Sequence, residues 1–321
     1  MDLNTFTDLL SVIAIIFLLL CTGYLCRRLG VIDDAASKRL SALIIKVGQP
    51  LMIVAALISK DFSTEALKTG LLFTLIGFLI HPLMAALALL VSPLYRDEAE
   101  RKVTLFAMTF TNCGFIGFPI LEAIFPGEGA FIGAFFVIGF HTYVWTLGMA
   151  ILGKGREDIR LTPKKAVFNL GTIPCAIGLG LYILKAVLPL PAFAVSFTDH
   201  LGDLCLPISV LVTGALVAKR GLVSLLSRPR IYLFNLFKLI AMPLAVCLIT
   251  KLVTLGMENS YHIVLFCTVI AALPSGASIS MMGELYDIAP EYAAETVGSS
   301  SLLVIGTLPL LYFVGNYIAL L

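Results

Sequence analysis

The stretches 109-TFTNCGFIGFPILE-122 and 271-AALPSGASISMMGE-284 decide how this chain folds. Each lies within a long apolar run and puts poor helix formers where a helix should be continuous. These are Gly114, Gly117 and Pro119 in the first, and Pro274 and Gly276 in the second. A broken helix frees backbone donors and carbonyls. In hydrocarbon each bare group costs several kcal/mol, so such breaks persist only where protein encloses them or where they line a cavity. Polar side chains flank both breaks: Thr109, Thr111 and Asn112 in one, Ser275, Ser278 and Ser280 in the other. Matched interrupted helices with polar neighbours point to a ligand site near the middle of a membrane.

The composition around these stretches agrees with a lipid environment. Of 321 residues, 59% are hydrophobic and only 13% charged, against about 25% charged in an average soluble domain. A cytosolic enzyme, a secreted disulfide scaffold and a disordered regulator are excluded. A net charge of +2 gives no reason to expect a nucleic-acid partner. The seven cysteines mostly stand singly in apolar runs, with no CxxC pair and no histidine cluster at metal-ligand spacing, so neither a disulfide framework nor a metal site is expected. Asp2 and Asp8 stand where a secretory signal carries basic residues, and the first apolar run reads as a retained span.

A hydrocarbon core of about 30 Å needs about 20 apolar helical residues. Ten runs meet that length, at approximately 8–29, 36–58, 65–92, 99–124, 129–153, 165–188, 199–219, 230–255, 260–286 and 292–319. An all-α integral membrane protein is therefore expected. Every second connection is basic, holding Arg27, Arg28, Lys38, Arg39; Arg96, Arg101, Lys102; Lys154, Arg156, Arg160, Lys164, Lys165; and Lys219, Arg220, Arg228, Arg230. Those are sixteen of the 22 basic residues. The excess places these connections in the cytoplasm and both termini outside it. The acidic stretch 284-ELYDIAPEYAAE-295 falls on the same side and is discordant, but acidic residues weigh little in this rule.

The second half repeats the first. Gly23 matches Gly180, Pro50 matches Pro207, Pro82 matches Pro243, Gly114 matches Gly276 and Glu122 matches Glu284, at offsets drifting only from 157 to 162. Five spans match five, and an odd number inverts the second copy in the membrane. The expected organisation is a first repeat over 1–153, a cytoplasmic connection over 154–164 and an inverted second repeat over 165–321, with broken, crossing helices 4 and 9. Each break leaves a half-helix N-terminus at depth, starting near Pro119 and near Ser278. Such ends carry partial positive charge and free N–H groups. Two of them, with the Asn112 amide, suit a carboxylate without any arginine.

TNCGFIGFP (111–119), LPSGAS (273–278) followed by GELY (283–286), LGDLCLPISVLVTG (201–214), KLIAMPL (238–244) and SSSLLVIGTLPLLY (299–312) together resemble the auxin efflux carrier family of membrane transporters. That family includes bacterial malate and malonate permeases and is similar to plant auxin carriers. The resemblance spans essentially the whole chain. It implies ten spans in two inverted repeats, a scaffold of spans 1, 2, 6 and 7, a mobile unit of the others, elevator-like movement of an organic anion, and a homodimer formed through the scaffold; the compact loops suit a plasma membrane. The chain departs from the pattern at 169-NLGTIP-174, at Asp203, and in lacking the long cytoplasmic loop of many plant carriers.

The substrate site expected from these readings comprises Asn112, Gly114, Gly117, Pro119, Pro274, Ser275, Gly276 and Ser278, with Gln49 and Lys46 from the second span. Lys46, four residues before Pro50, stands at membrane depth, where an unpaired charge costs about 3 kcal/mol. It is expected to balance a substrate carboxylate or to pair with an acid. Lys238 reads as snorkelling to the cytoplasmic rim. Glu122, Glu284, His141 and Asp203 are the candidates for a coupling proton or sodium, although Glu122 and Glu284 also read simply as the wet ends of half-helices, and His141 and His81 as packed between helices. No cofactor is implied. Without GxxxxGK[ST], GxSxG or HExxH there is neither an ATP motor nor a recognisable enzyme site. The alternatives are an aromatic acid such as an auxin, received by Phe115 and Phe118, and a transporter-like sensor or channel.

Overall fold

The computed structural model describes residues 3–156, 169, 171–221 and 228–321. These residues are helical apart from short connections and one strand-like bridge between Thr111 and Ser275. In chain order the helices are α1 (Leu3–Arg28), α2 (Asp34–Ile58), α3 (Thr64–Leu94), α4 (Glu98–Thr109), α5 (Gly117–Ile124) and α6 (Gly129–Gly153). They continue with α7 (Thr172–Leu184), α8 (Ala192–Lys219), α9 (Pro229–Val253), α10 (Ser260–Ala272), α11 (Ala277–Tyr286) and α12 (Pro290–Leu320).

Seven of these, α1, α2, α3, α6, α8, α9 and α12, are long and apolar enough to cross a membrane. The remaining apolar runs are shorter or interrupted. The fourth run divides into α4 and α5 and the ninth into α10 and α11, as their Gly and Pro residues predict. Within the sixth run, helix is described only over Thr172–Leu184. Residues 157–168 and 170 lie outside the described residues, and with them most of the connection read over 154–164.

Local chemistry sets the helix starts. Asp33, Ser63 and Asp97 accept from the backbone N–H groups of Ala36, Ala66 and Glu100, capping α2, α3 and α4. The long contacts come from small residues. α1 crosses α8 where a β-carbon on Gly23 would lie 2.1 Å from Leu211 O and one on Gly214 would lie 2.1 Å from Leu20 O, so the two backbones touch. α7 and the first half of α8 lie on α2, α3 lies on α6, and α10 is enclosed by α9 and α12.

Charged connections pair by end. Asp34 joins Arg27 and Lys219, Glu98 joins Lys102, Glu100 joins Arg230, and Glu295 joins Arg228. All of these belong to the basic set of connections. The opposite end holds Lys60 with Glu128 and Lys185 with Asp61. The acidic 284–295 stretch ceases to be discordant: Glu295 neutralises Arg228, and Arg156 donates to Tyr286 O at 3.0 Å, so this stretch supplies counter-charge to its basic neighbours.

Candidate functional site

The two breaks meet. After α4, Phe110 turns extended, and before α11 Leu273 and Gly276 do the same. The Asn112 N–H donates to Pro274 O at 2.8 Å and the Gly276 N–H donates to Phe110 O at 2.9 Å, one bond on each side of the Thr111–Ser275 bridge. Side chains complete the junction. Ser275 donates its hydroxyl to Ala107 O at 3.1 Å, while its N–H donates to Ser300 Oγ of α12 at 3.1 Å. Groups freed by breaking two helices thus satisfy one another, which is the condition for such backbone to exist at depth.

The two half-helix starts are not equivalent. In α5 the N–H of Gly117 is taken by Asn112 O and that of Phe118 by Gly114 O, and Pro119 has none. Among the described residues no acceptor serves the N–H of Ala277 or Ser278 at the start of α11. Both residues line a cavity of about 90 Å³ beside the crossing. The expected pair of anion-attracting helix ends is therefore a single one, that of α11. Asn112 and Gln49 add side-chain amides to the wall, and among the described residues His141 is its one ionisable side chain. Two hydroxyls in the wall, Thr111 Oγ1 and Ser278 Oγ, are buried without a partner at hydrogen-bond geometry. Unsatisfied buried groups of this kind cost about 1–3 kcal/mol each, and a bound ligand or water offering an acceptor removes that cost. Phe115, Phe140, Trp145, Met281 and Met282 supply the apolar wall.

A family described as membrane transport protein matches the chain twice, over residues 8–169 and 160–312. The chain belongs to that family. Similar proteins are an uncharacterized transporter of Methanocaldococcus jannaschii, 23% identical over 305 residues that cover 90% of this chain and 92% of the relative, and an uncharacterized transporter of Methanothermobacter thermautotrophicus, 25% identical over 206 residues that cover 59% of this chain and 66% of the relative. The resemblance read from the motifs is thereby confirmed at family level.

Within this membrane transport protein the anticipated site residues divide. Asn112, Gly114, Gly276, Ser278, Gln49 and His141 line the cavity. Gly117, Pro274 and Ser275 lie outside its wall and bond at the crossing, and Pro119 lies in the first turn of α5. Lys46 does neither: it is exposed on the outer side of a wide turn over Ile44–Gly48, whose neighbours Ile45 and Gln49 face the cavity, so it is not placed to balance a bound carboxylate. Lys238 also departs from expectation. It is fully buried and donates to Ala271 O at 3.1 Å, at the C-terminal end of α10, instead of reaching a rim. His81 packs among Phe110, Phe136, Phe140 and Tyr143 as a core histidine.

The coupling candidates separate in the same way. Glu284 and Asp203 are exposed, away from the cavity wall. Glu122 is occupied: its carboxylate accepts from the N–H of Gly127 at 2.6 Å and of Ala130 at 3.0 Å, holding the turn into α6. Glu122→Ala should cost about 1–2 kcal/mol of thermal stability with ligand affinity unchanged. Unaltered unfolding together with a shifted pH dependence of uptake refutes the capping role. Of the four candidates His141 alone faces the cavity, with Nε2 at 3.5 Å from Gln49 Nε2. Gly171, a residue not anticipated for the site, sits so close that a β-carbon would fall 2.1 Å from the His141 ring.

Proposed function

We propose that this membrane transport protein is a secondary transporter that moves a small organic anion, a mono- or dicarboxylate such as malate or malonate, through the helix crossing. The observation that carries this reading is the polar pocket at the start of α11, where two free N–H groups, the Asn112 amide and two unpartnered hydroxyls converge, with no cation or carboxylate among the described residues of the wall. A carboxylate accepts from all of these groups and meets the positive end of a helix dipole. Supporting the wider reading are the two matched breaks and the two family matches, one in each half. We take the chain as ten spans in two inverted repeats, the crossing carried by a mobile unit that moves as an elevator against a dimeric scaffold. The basic end faces the cytoplasm of a plasma membrane, and both termini face outwards. A proton or sodium gradient drives the cycle, with His141 the group best placed to take a proton.

Asn112→Ala removes one donor from a pocket that offers few. Binding of malate or malonate to the purified, folded protein should weaken about tenfold, the worth of one good hydrogen bond. Calorimetric titration or thermal shift measures this, and an unchanged affinity rejects the site. Counterflow of labelled substrate in liposomes separates transport from a pure sensor, which gives none.

The aromatic wall formed by Phe115, Phe140 and Trp145 favours a second reading, a carrier of an aromatic acid such as an auxin. Phe118, expected to share that role, instead packs against Gly133 behind the wall. Competition between malate and indole acetate for uptake into proteoliposomes distinguishes the two substrates.

A further inference from the structure

A second, larger cavity of about 460 Å³ opens at the basic end of the molecule, between α3, α4 and α6, apart from the crossing. Its walls are apolar, formed by Leu89 of α3, Leu105 of α4, and Leu147 and Ile151 of α6. Its mouth is cationic, with Arg101, Lys102 and Lys154. Of these, Lys102 is engaged: it pairs with Glu98 at 3.1 Å and donates to Lys154 O. The side chains of Arg101 and Lys154 are exposed and have no ion-pair partner among the described residues. Of the neighbouring carboxylates, Glu100 is taken by Arg230, Asp97 caps α4, and Glu98 is bonded to Lys102, lying within electrostatic reach of Arg101 and Lys154 without pairing with either.

The groove is also continuous with a lipid-facing surface. Leu75, Leu79, Leu89 and Leu90 are each more than half exposed, an apolar stripe running down α3 to the groove. A single ligand chemistry fits an apolar slot entered from that stripe and closed by two unpaired cations at the level of the connections: an acyl chain bearing an anionic headgroup. We infer that this groove binds an anionic phospholipid from the leaflet at the basic end, its acyl chain lying between α3 and α6 and its phosphate between Arg101 and Lys154. Basic pockets between membrane helices are suited to such headgroups. A free carboxylate or inorganic phosphate gains nothing from the leucine walls, and a zwitterionic lipid such as phosphatidylcholine gains less from the cations, because its own ammonium offsets its phosphate. The groove also borders the elements of the crossing, since Leu105 belongs to the half-helix that leads into Asn112, and Leu147 to the wide turn Val144–Gly148.

The test uses the full chain, purified and delipidated in detergent, titrated with phosphatidylglycerol or phosphatidylcholine of identical chains and followed by thermal stability and by native mass spectrometry. Phosphatidylglycerol should bind more tightly. The double variant Arg101→Gln/Lys154→Gln, altered only at exposed positions, should lose about thirtyfold of that affinity, each cation near a charged lipid being worth about fivefold. Ala150→Trp, which fills the groove from its open side, should lower the binding of phosphatidylglycerol with both cations intact. Equal binding of the two lipids, full retention of the preference in the double variant, or an equal stabilisation by soluble glycerol phosphate overturns the inference.

Discussion

Gly171→Ala is expected to cost this transporter most of its affinity for the proposed organic anion while leaving it folded. A β-carbon at residue 171 falls 2.1 Å from both Cγ and Nδ1 of His141 and 2.7 Å from its Cβ. No rotamer change of an alanine relieves that contact, so the imidazole must move. Phe140 packs edge-on against the ring at 5.2 Å between centroids, and the open direction is the cavity that His141 already lines. A ring pushed into about 90 Å³ displaces the ligand and parts His141 from Gln49. Overpacking of this kind costs about 1–3 kcal/mol, and at its upper end affinity falls about a hundredfold. The second arm is the double variant Gly171→Ala/His141→Ala, which restores space. It should bind more tightly than Gly171→Ala alone, a coupling that a general loss of packing does not produce. Malate binding unaffected by Gly171→Ala removes the cavity from consideration as the site.

The breaks were legible in the sequence because Gly and Pro punctuate helices by local chemistry alone. Asn112, Gly276 and Ser278 could be placed at one site from their spacing. What spacing does not carry is the pairing of individual backbone groups. That α5 spends its N–H groups on Asn112 O and Gly114 O, leaving α11 alone to face the cavity, depends on the turn that the chain takes between Asn112 and Gly117. The wide turns Ile44–Gly48, Val144–Gly148 and Phe237–Ala241 had no local signature either. Yet the first turns Lys46 outward as Gln49 turns inward, and the second brings Val144 and Trp145 to the wall. Such turns recur at functional sites in helices. Packing partners are equally hidden: a β-carbon on Gly180, matched to Gly23 by offset, would meet no neighbouring element within 4 Å, whereas one on Gly178 would press on Leu57 and Val54 of α2. The loop-capping bonds of Glu122 were hidden for a simpler reason. Its sequence position fits a titrating acid and a loop cap equally well, and only the bonds to Gly127 and Ala130 distinguish them.

The buried Lys238 gives the largest expected effect on folding. Its side chain is fully enclosed, and its ammonium meets Ala271 O, one of the carbonyls left open where α10 stops for the crossing. A cation at a helix C-terminus is favourable, but taking an ammonium out of water costs several kcal/mol. The two effects oppose each other, so the substitution chosen decides which is measured. Lys238→Ala removes four methylenes from a close-packed interior and also orphans the carbonyl. A loss of about 3–5 kcal/mol follows from the cavity and the unpaired acceptor together. Lys238→Met keeps most of the stem. It leaves the same carbonyl unpaired at about 1–3 kcal/mol but relieves the desolvated charge, so its stability should lie within about 1–2 kcal/mol of the parent. Thermal unfolding of both variants in the same detergent compares them directly. A Met variant as unstable as the Ala variant shows that the ammonium bond to Ala271, and not the packing of the lysine stem, holds the end of α10 in place beside the site.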